Sequence, residues 1–138
     1  MSVWIEASGS GSYGDLALTF EACERKAKAI GQVVVLPTPS QLFLDIDSKE
    51  QFEHFLAMLP KVAENESKKA LQFSVTPSKD GGHHFHVKVD MERPLAALER
   101  IAYQAILGSD PVREIIAIRR VNAGNPNPTV FFENGTTK

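Results

Sequence analysis

The chain has 138 residues, of which 43% are hydrophobic and 23% are charged, and its formal net charge is −2. This length and composition fit one globular domain with its own core. The slight negative charge excludes a uniformly basic protein that coats nucleic acid, so any nucleic-acid contact must come from a local patch. The single cysteine, Cys23, excludes both an intramolecular disulfide framework and a zinc site built from several cysteines.

The sequence lacks two features that would direct a protein to a membrane or out of the cell. No apolar run reaches the roughly 18 residues that a membrane span needs, and the N-terminal stretch lacks the basic and apolar segments of a secretory signal. We therefore expect a cytoplasmic protein that does not contact a membrane. We interpret residues 1–138 as a single domain, with an N-terminal extension at 1–36, a core at 41–133 and a loose tail at 134–138.

The N-terminal extension begins with a Gly/Ser-rich joint that has little conformational bias. Apolar residues then recur at helical spacing, which predicts a helix that starts at Asp15 as cap and stops at Gly31. Cys23 lies on the apolar stripe of this helix, so we expect it in the core rather than at a reactive site. A short apolar strand follows at residues 32–36.

The core alternates strand and helix patterns. Ser48 and Gln51 have the spacing of a capping box at the start of its first helix, and Pro60 is expected to kink or shorten that helix. Asp110 and Pro111 suit the cap and first position of a last helix, although this segment also fits a strand. The predicted strands lie at 41–47, 71–76, 83–89 and 129–133, and the predicted helices at 48–64, 93–108 and 109–121.

This order of elements predicts an α+β fold, with an RRM/ferredoxin-like split βαβ sheet after the N-terminal helical extension. Such a sheet has helices on one face and leaves the other face open. Its first and third strands are central neighbours, and its last strand flanks the first strand on the other side. The strands at 41–47 and 83–89 are therefore expected to pair.

Alternation along these strands separates core residues from exposed ones. Leu42, Leu44 and Ile46 share the core face, which leaves Asp45 and Asp47 on the open face. On the partner strand, His83 falls on the core face or its rim, whereas the open face carries His84, His86 and Lys88. Two carboxylates and two imidazoles are thus predicted to gather on one sheet surface.

Paired carboxylates repel each other, and a hard divalent cation such as Mg²⁺ or Mn²⁺ relieves that repulsion through oxygen ligands. Two such ions, or one ion together with a triphosphate, are commonly bound by enzymes that catalyse phosphoryl and nucleotidyl transfer. A histidine beside them can hold a phosphate oxygen, and Lys79 and Lys88 add positive charge.

Other interpretations of the same residues stay open. Asp45 and Asp47 also fit a solvated strand end, with Asp47 as a helix cap. The histidines also fit ordinary surface positions. A zinc site formed by His84, His86 and an aspartate is a third possibility, because histidines two apart on a strand can chelate.

Two segments, "LFLDID" and "FSVTPSKDGGHHFHVKV", resemble the catalytic core of the archaeo-eukaryotic primase superfamily, which includes primase-polymerases. The first segment matches an acidic pair at a strand end, and the second matches a serine turn that leads through glycine to a histidine. The resemblance implies that Asp45 and Asp47 bind a divalent metal and are catalytic together with His84. It further implies phosphate binding by Ser78 and His84. Their own positions and charge lead us to expect Lys79, His86 and Lys88 at the same nucleotide or phosphate site.

The chain departs from the family pattern in two ways. The spacing from Ser78 to His84 is stretched, and Ala117 and Ile118 stand where a third acidic residue is expected, so Glu114 or Glu133 would have to substitute. The chain also has no room for the larger nucleotide-binding or zinc-bearing module of such proteins. It looks like a reduced core of the kind that a phage or mobile element encodes.

Two hypotheses of function follow. The first is a minimal primase-like domain, a nucleotidyltransferase if active, that binds nucleotide or nucleic acid through Mg²⁺ or Mn²⁺ on its open sheet face. The second is a catalytically inactive protein of the same fold that binds a protein or nucleic acid through its open sheet face.

Overall fold

The computed structural model describes residues 2–5, 17–77 and 84–134. Within them the chain forms four helices and two small antiparallel sheets, which confirms the predicted α+β class. The elements, in chain order, are α1 (Phe20–Ala29), β1 (Val33–Val35), β2 (Gln41–Ile46), α2 (Lys49–Asn65), β3 (Gln72–Pro77), β4 (Phe85–Asp90), α3 (Ala97–Ile106), α4 (Pro111–Asn122) and β5 (Phe131–Glu133).

The helix boundaries agree only in part with the sequence patterns. Helix α1 begins at Phe20, with Thr19 as its cap, and not at Asp15, which lies outside the described residues. Helix α2 is capped by Ser48 as predicted, but it is not shortened at Pro60 and continues to Asn65. The segment at 109–121, which also fitted a strand, forms a helix, α4.

The Ser48 cap supports a first stability prediction. Its Oγ accepts a hydrogen bond from the backbone N–H of Gln51 at 3.1 Å, so this N–H would be left without its partner in Ser48→Ala. We expect Ser48→Ala to lower the free energy of unfolding by about 1 kcal/mol, measured by urea denaturation. Ser74→Ala, on the exposed strand β3, should change it by less than about 0.5 kcal/mol. Equal effects of the two substitutions would contradict the capping role.

The larger sheet has the strand order β2-β4-β3, and all its pairs are antiparallel. The predicted pairing of the first and third core strands is therefore confirmed. Its apolar face packs against α2 and α3, where Phe55 of α2 and Leu107, the residue after α3, are fully buried. The sheet contributes Leu42, Leu44, Ile46, Val87 and Val89 to this core.

The last strand is not where the split βαβ pattern puts it. Strand β5 pairs with β1 in a separate two-stranded sheet and does not flank β2. The free edge of β2 is bound instead by side chains of α3, of α4 and of the turn between these helices. Gln104 accepts from Phe43 N at 2.8 Å, Ser109 accepts from Asp45 N at 3.0 Å, and Arg113 donates to Phe43 O at 2.7 Å. Because these backbone groups are already satisfied, β2 has no edge on which β5 could pair.

The face of the sheet predicted to be open is partly covered. The Phe131 ring of β5 stacks on Phe43 with a centroid separation of 4.3 Å and on His86 with a separation of 3.9 Å. Phe43 is only 1% exposed as a result. An aromatic residue on an otherwise polar face was the sequence signal that something packs there.

A second small core lies between α1 and the β1–β5 sheet. Cys23 is fully buried there with Ala17 and Val130, which confirms its assignment to the core. In the described part of the chain, none of the helices combines the length and the apolar character needed to cross a membrane.

Candidate functional site

Three carboxylates meet where β2 ends and α4 begins. Oxygen atoms of Asp45, Asp47 and Asp110 all lie within 4.8 Å of one another. The backbone joins the two elements, because the N–H of Asp110 donates to the carbonyl oxygen of Asp45 at 2.9 Å. Asp110 also caps α4 as predicted, accepting from Val112 N at 3.0 Å, but its place beside the other two aspartates was not foreseen.

Asp45 has the most perturbed environment of the three. Burial, reinforced by the negative charges of Asp47 and Asp110, raises the pKa of Asp45 from 3.8 to about 6. Arg113 and His84 oppose this rise with their positive charge. The folded protein therefore holds an ionised Asp45 at a free-energy cost near neutral pH, and a cation beside it would reduce that cost.

Asp47 and His84 form a direct pair. Nδ1 of His84 lies 2.8 Å from Oδ1 of Asp47, so the predicted proximity of these two side chains is found. The interpretation of Asp47 as a helix cap is wrong, because Ser48 performs that role for α2. Because Asp47 does not cap the helix, its carboxylate can orient the His84 ring beside the three aspartates.

His86 is held by a different carboxylate. Asp45 and His86 are cross-strand partners, yet Nδ1 of His86 contacts Oε2 of Glu133 at 3.3 Å. Lys88 approaches the other oxygen of Glu133 at 3.4 Å. Burial lowers the pKa of His86 despite the nearby Glu133. Among the described residues, the side chains whose ligand atoms converge are the three aspartates, and neither histidine joins them, so the geometry does not favour the zinc alternative.

Neither glutamate considered as a third acid joins the carboxylate group. Glu133 faces His86 and Lys88, as described above. Glu114 is 3% exposed and accepts from Arg113 at 2.6 Å and from Gln104 at 2.8 Å. Since Arg113 and Gln104 also bind the backbone of β2, Glu114 supports the strand edge. The third carboxylate near Asp45 and Asp47 belongs instead to Asp110, four residues before Glu114 in the chain.

The three aspartates line a cleft of about 670 Å³. Positive side chains line the same cleft, contributed by Lys26 of α1 and by Arg113 and Arg120 of α4. Lys26 belongs to a charged run that is typical of a solvated helix face, and only the packing of α1 reveals its position. The cleft thus combines a carboxylate group suited to a cation with cationic groups suited to an anion.

Three residues of the sequence-based hypotheses lie outside the described part of the chain. They are Ser78 and Lys79, predicted to bind phosphate, and His83, predicted for the core face or rim. Comparisons with protein-family models, with curated proteins and with solved structures give no match to this chain.

Proposed function

We propose that the cleft binds a divalent metal ion, Mg²⁺ or Mn²⁺, together with the phosphate groups of a nucleotide or of a nucleic-acid end. The observation that carries the proposal is the convergence of Asp45, Asp47 and Asp110 in a cleft that also carries basic side chains. Three carboxylates without a cation repel one another, whereas a metal–phosphate ligand complements both kinds of side chain. Such a role fits the cytoplasmic location expected from the sequence.

Each group has a distinct part in this proposal. Asp45, Asp47 and Asp110 would hold the metal ion, which neutralises phosphate charge and orients a phosphoryl oxygen when bound. His84, oriented by Asp47 at 2.8 Å, would donate to a phosphate oxygen. Arg113 is held by its bonds to Phe43 O and Glu114, so its charge stays in place beside the cleft.

The arrangement supports the primase-like hypothesis more than the inactive one. The strand order β2-β4-β3, with α2 and α3 on one face, is the order expected for three strands of a split βαβ core. We propose that β5 corresponds to the fourth strand of such a core, although it pairs with β1 in this protein. The inactive hypothesis was favoured by a missing third acid, and Asp110 supplies a third carboxylate at the site. Both hypotheses used the sheet face that Phe131 partly covers, so this covering does not separate them.

Calorimetric titration of Mn²⁺ and then ATP tests the proposal. We expect Mn²⁺ to bind the wild type, and ATP to bind only when Mn²⁺ is present. Asp110→Asn should weaken Mn²⁺ binding by at least about tenfold while preserving the α4 cap, because asparagine caps as well as aspartate. Glu53→Gln, an equal charge change on the exposed face of α2, is the matched control. ATP binding without metal, or an Asp110→Asn variant that binds Mn²⁺ as the wild type does, would refute the metal site.

The raised pKa of Asp45 predicts a pH dependence for metal binding. Below about pH 6 the Asp45 carboxyl is protonated in the metal-free protein, and the metal must displace that proton. The Kd for Mn²⁺ should therefore rise about tenfold for each pH unit below 6 and level off above 7. Calorimetry between pH 5 and pH 8 measures this. A Kd that is constant over this range would contradict competition between the metal ion and a proton on Asp45.

A further inference from the structure

A second, smaller cleft adjoins the first on the same side of the sheet. Its volume is about 230 Å³, and its walls include Thr76 of β3, Lys88 of β4 and Glu133 of β5. His86 and Phe132 line both clefts, so the two spaces meet at these side chains. A ligand whose phosphates lie beside the three aspartates can therefore extend past His86 into the second space.

The hydrogen bonding of His86 determines what this junction offers to a ligand. Nδ1 faces the carboxylate of Glu133 at 3.3 Å, and since a carboxylate only accepts, Nδ1 carries the hydrogen. With the hydrogen on Nδ1, the neutral ring presents its Nε2 as an acceptor.

The position of Nε2 follows from its lack of a partner. Within the described ranges, Nε2 of His86 contacts no hydrogen-bonding group, yet no buried side-chain nitrogen or oxygen there is unsatisfied. Nε2 is therefore accessible, and the His86 side chain lines both clefts. Stacking on Phe131, at an interplanar angle of 6°, holds the ring in this orientation.

We propose that the second cleft binds the nucleoside part of the nucleotide, with Nε2 of His86 accepting a hydrogen bond from the base or from a ribose hydroxyl. This inference rests on the proposed function, because it requires the phosphates to occupy the first cleft. Pro77 and Phe132 are the apolar residues that line this cleft, and Gln32 and Thr76 add polar groups beside them. Apolar residues with a few placed polar groups are the usual lining of a small-molecule site.

Comparison of ATP with inorganic triphosphate separates the two clefts, because only ATP has a nucleoside. Calorimetry in the presence of Mn²⁺ should show tighter binding of ATP than of triphosphate to the wild type. Thr76→Trp places a large ring at the exposed lining position opposite His86, and it should weaken ATP by at least about tenfold while leaving triphosphate unchanged. Ser74→Trp, on the same face of β3 but outside both clefts, should change neither affinity.

A second variant tests the acceptor itself. In His86→Asn, the amide nitrogen takes the place of Nδ1 and can still donate to Glu133, while Nε2 is removed. We expect ATP affinity to fall roughly three- to tenfold and triphosphate affinity to stay constant. An equal fall for dideoxy-ATP assigns the hydrogen bond to the base, whereas a fall confined to ATP assigns it to a ribose hydroxyl.

The outcomes distinguish the two proposals. If neither ATP nor triphosphate binds with Mn²⁺, the proposed function fails and the nucleoside site fails with it. If both ligands bind in a metal-dependent way but with equal affinity, only the nucleoside site is refuted. A Thr76→Trp variant that weakens both ligands alike would also overturn it.

Discussion

Asp45→Asn is expected to abolish Mn²⁺ binding and, at the same time, to stabilise the metal-free protein. The folded state raises the pKa of Asp45 from 3.8 to about 6, so it binds the proton more tightly than the unfolded chain does. Stability therefore falls as pH rises from about 4 to above 6, where the buried carboxyl must ionise beside Asp47 and Asp110. The full rise in pKa corresponds to at most ~3 kcal/mol.

Asn at position 45 has nearly the same shape and no charge. Because Asp45 is only partly buried, we expect the free energy of unfolding at pH 7.5 to rise by about 1–2 kcal/mol, measured by urea denaturation. At pH 4 the difference from the wild type should nearly vanish. Glu53→Gln is the control for a simple change in net charge and should show no such pH dependence. An Asp45→Asn protein that is less stable than the wild type at pH 7.5 would contradict this account of the site.

Glu114→Ala is expected to cause the largest loss of stability of the substitutions considered for this chain. The Glu114 carboxylate is 3% exposed and holds both Arg113 and Gln104, the side chains that satisfy the outer edge of β2 at Phe43. Its removal leaves a partly buried guanidinium without its carboxylate, and it leaves the buried Gln104 amide with only the longer hydrogen bond to Thr129 at 3.4 Å. Breaking a buried ion pair in this way costs about 3–5 kcal/mol.

Thermal and urea denaturation of Glu114→Ala measure this loss. Glu53→Ala removes the same group from an exposed position of α2 and should change the free energy of unfolding by less than about 0.5 kcal/mol. A Glu114→Ala protein within about 1 kcal/mol of the wild type would show that Glu114 does not support the β2 edge. The hypothesis that Glu114 has a functional rather than a structural role would then regain support.

The predictable part of the fold depended on local signals. Helix α2 followed from the apolar stripe around Phe55 and Leu59 together with the Ser48 cap, and the structure reproduces it within one residue. The pairing of β2 with β4 followed from the order of elements. These features are set by contacts near in sequence or by a common connection rule, so the pattern of residue types was enough to predict them.

The predicted position of β5 was wrong because the true position depends on long-range contacts. Gln104 and Arg113 reach across more than sixty residues of sequence to bind the edge of β2, and nothing in their own segments indicates this target. Once they occupy the edge, β5 pairs with β1 and inserts Phe131 between Phe43 and His86. Phe43, a large ring on a face otherwise expected to be polar, was the one residue that pointed to this packing.

The candidate site was predictable in part for the same reason. Alternation along β2 and β4 placed Asp45, Asp47 and the histidines on one face, and the 2.8 Å contact between His84 and Asp47 agrees with that expectation. Asp110 was missed because it suited a helix cap, and it performs that role while also reaching the other aspartates. When helix capping already explains a residue, the sequence gives no sign of a second role that depends on tertiary contacts.

Diffraction from a crystal soaked in Mn²⁺ tests the central claim most directly, because the anomalous signal locates the ion itself. We expect one strong peak at about 2 Å from carboxylate oxygens of Asp45, Asp47 and Asp110. A peak bound by His84 and His86 in place of these aspartates would contradict the account. So would the lack of any peak in the cleft at a Mn²⁺ concentration that saturates calorimetric binding.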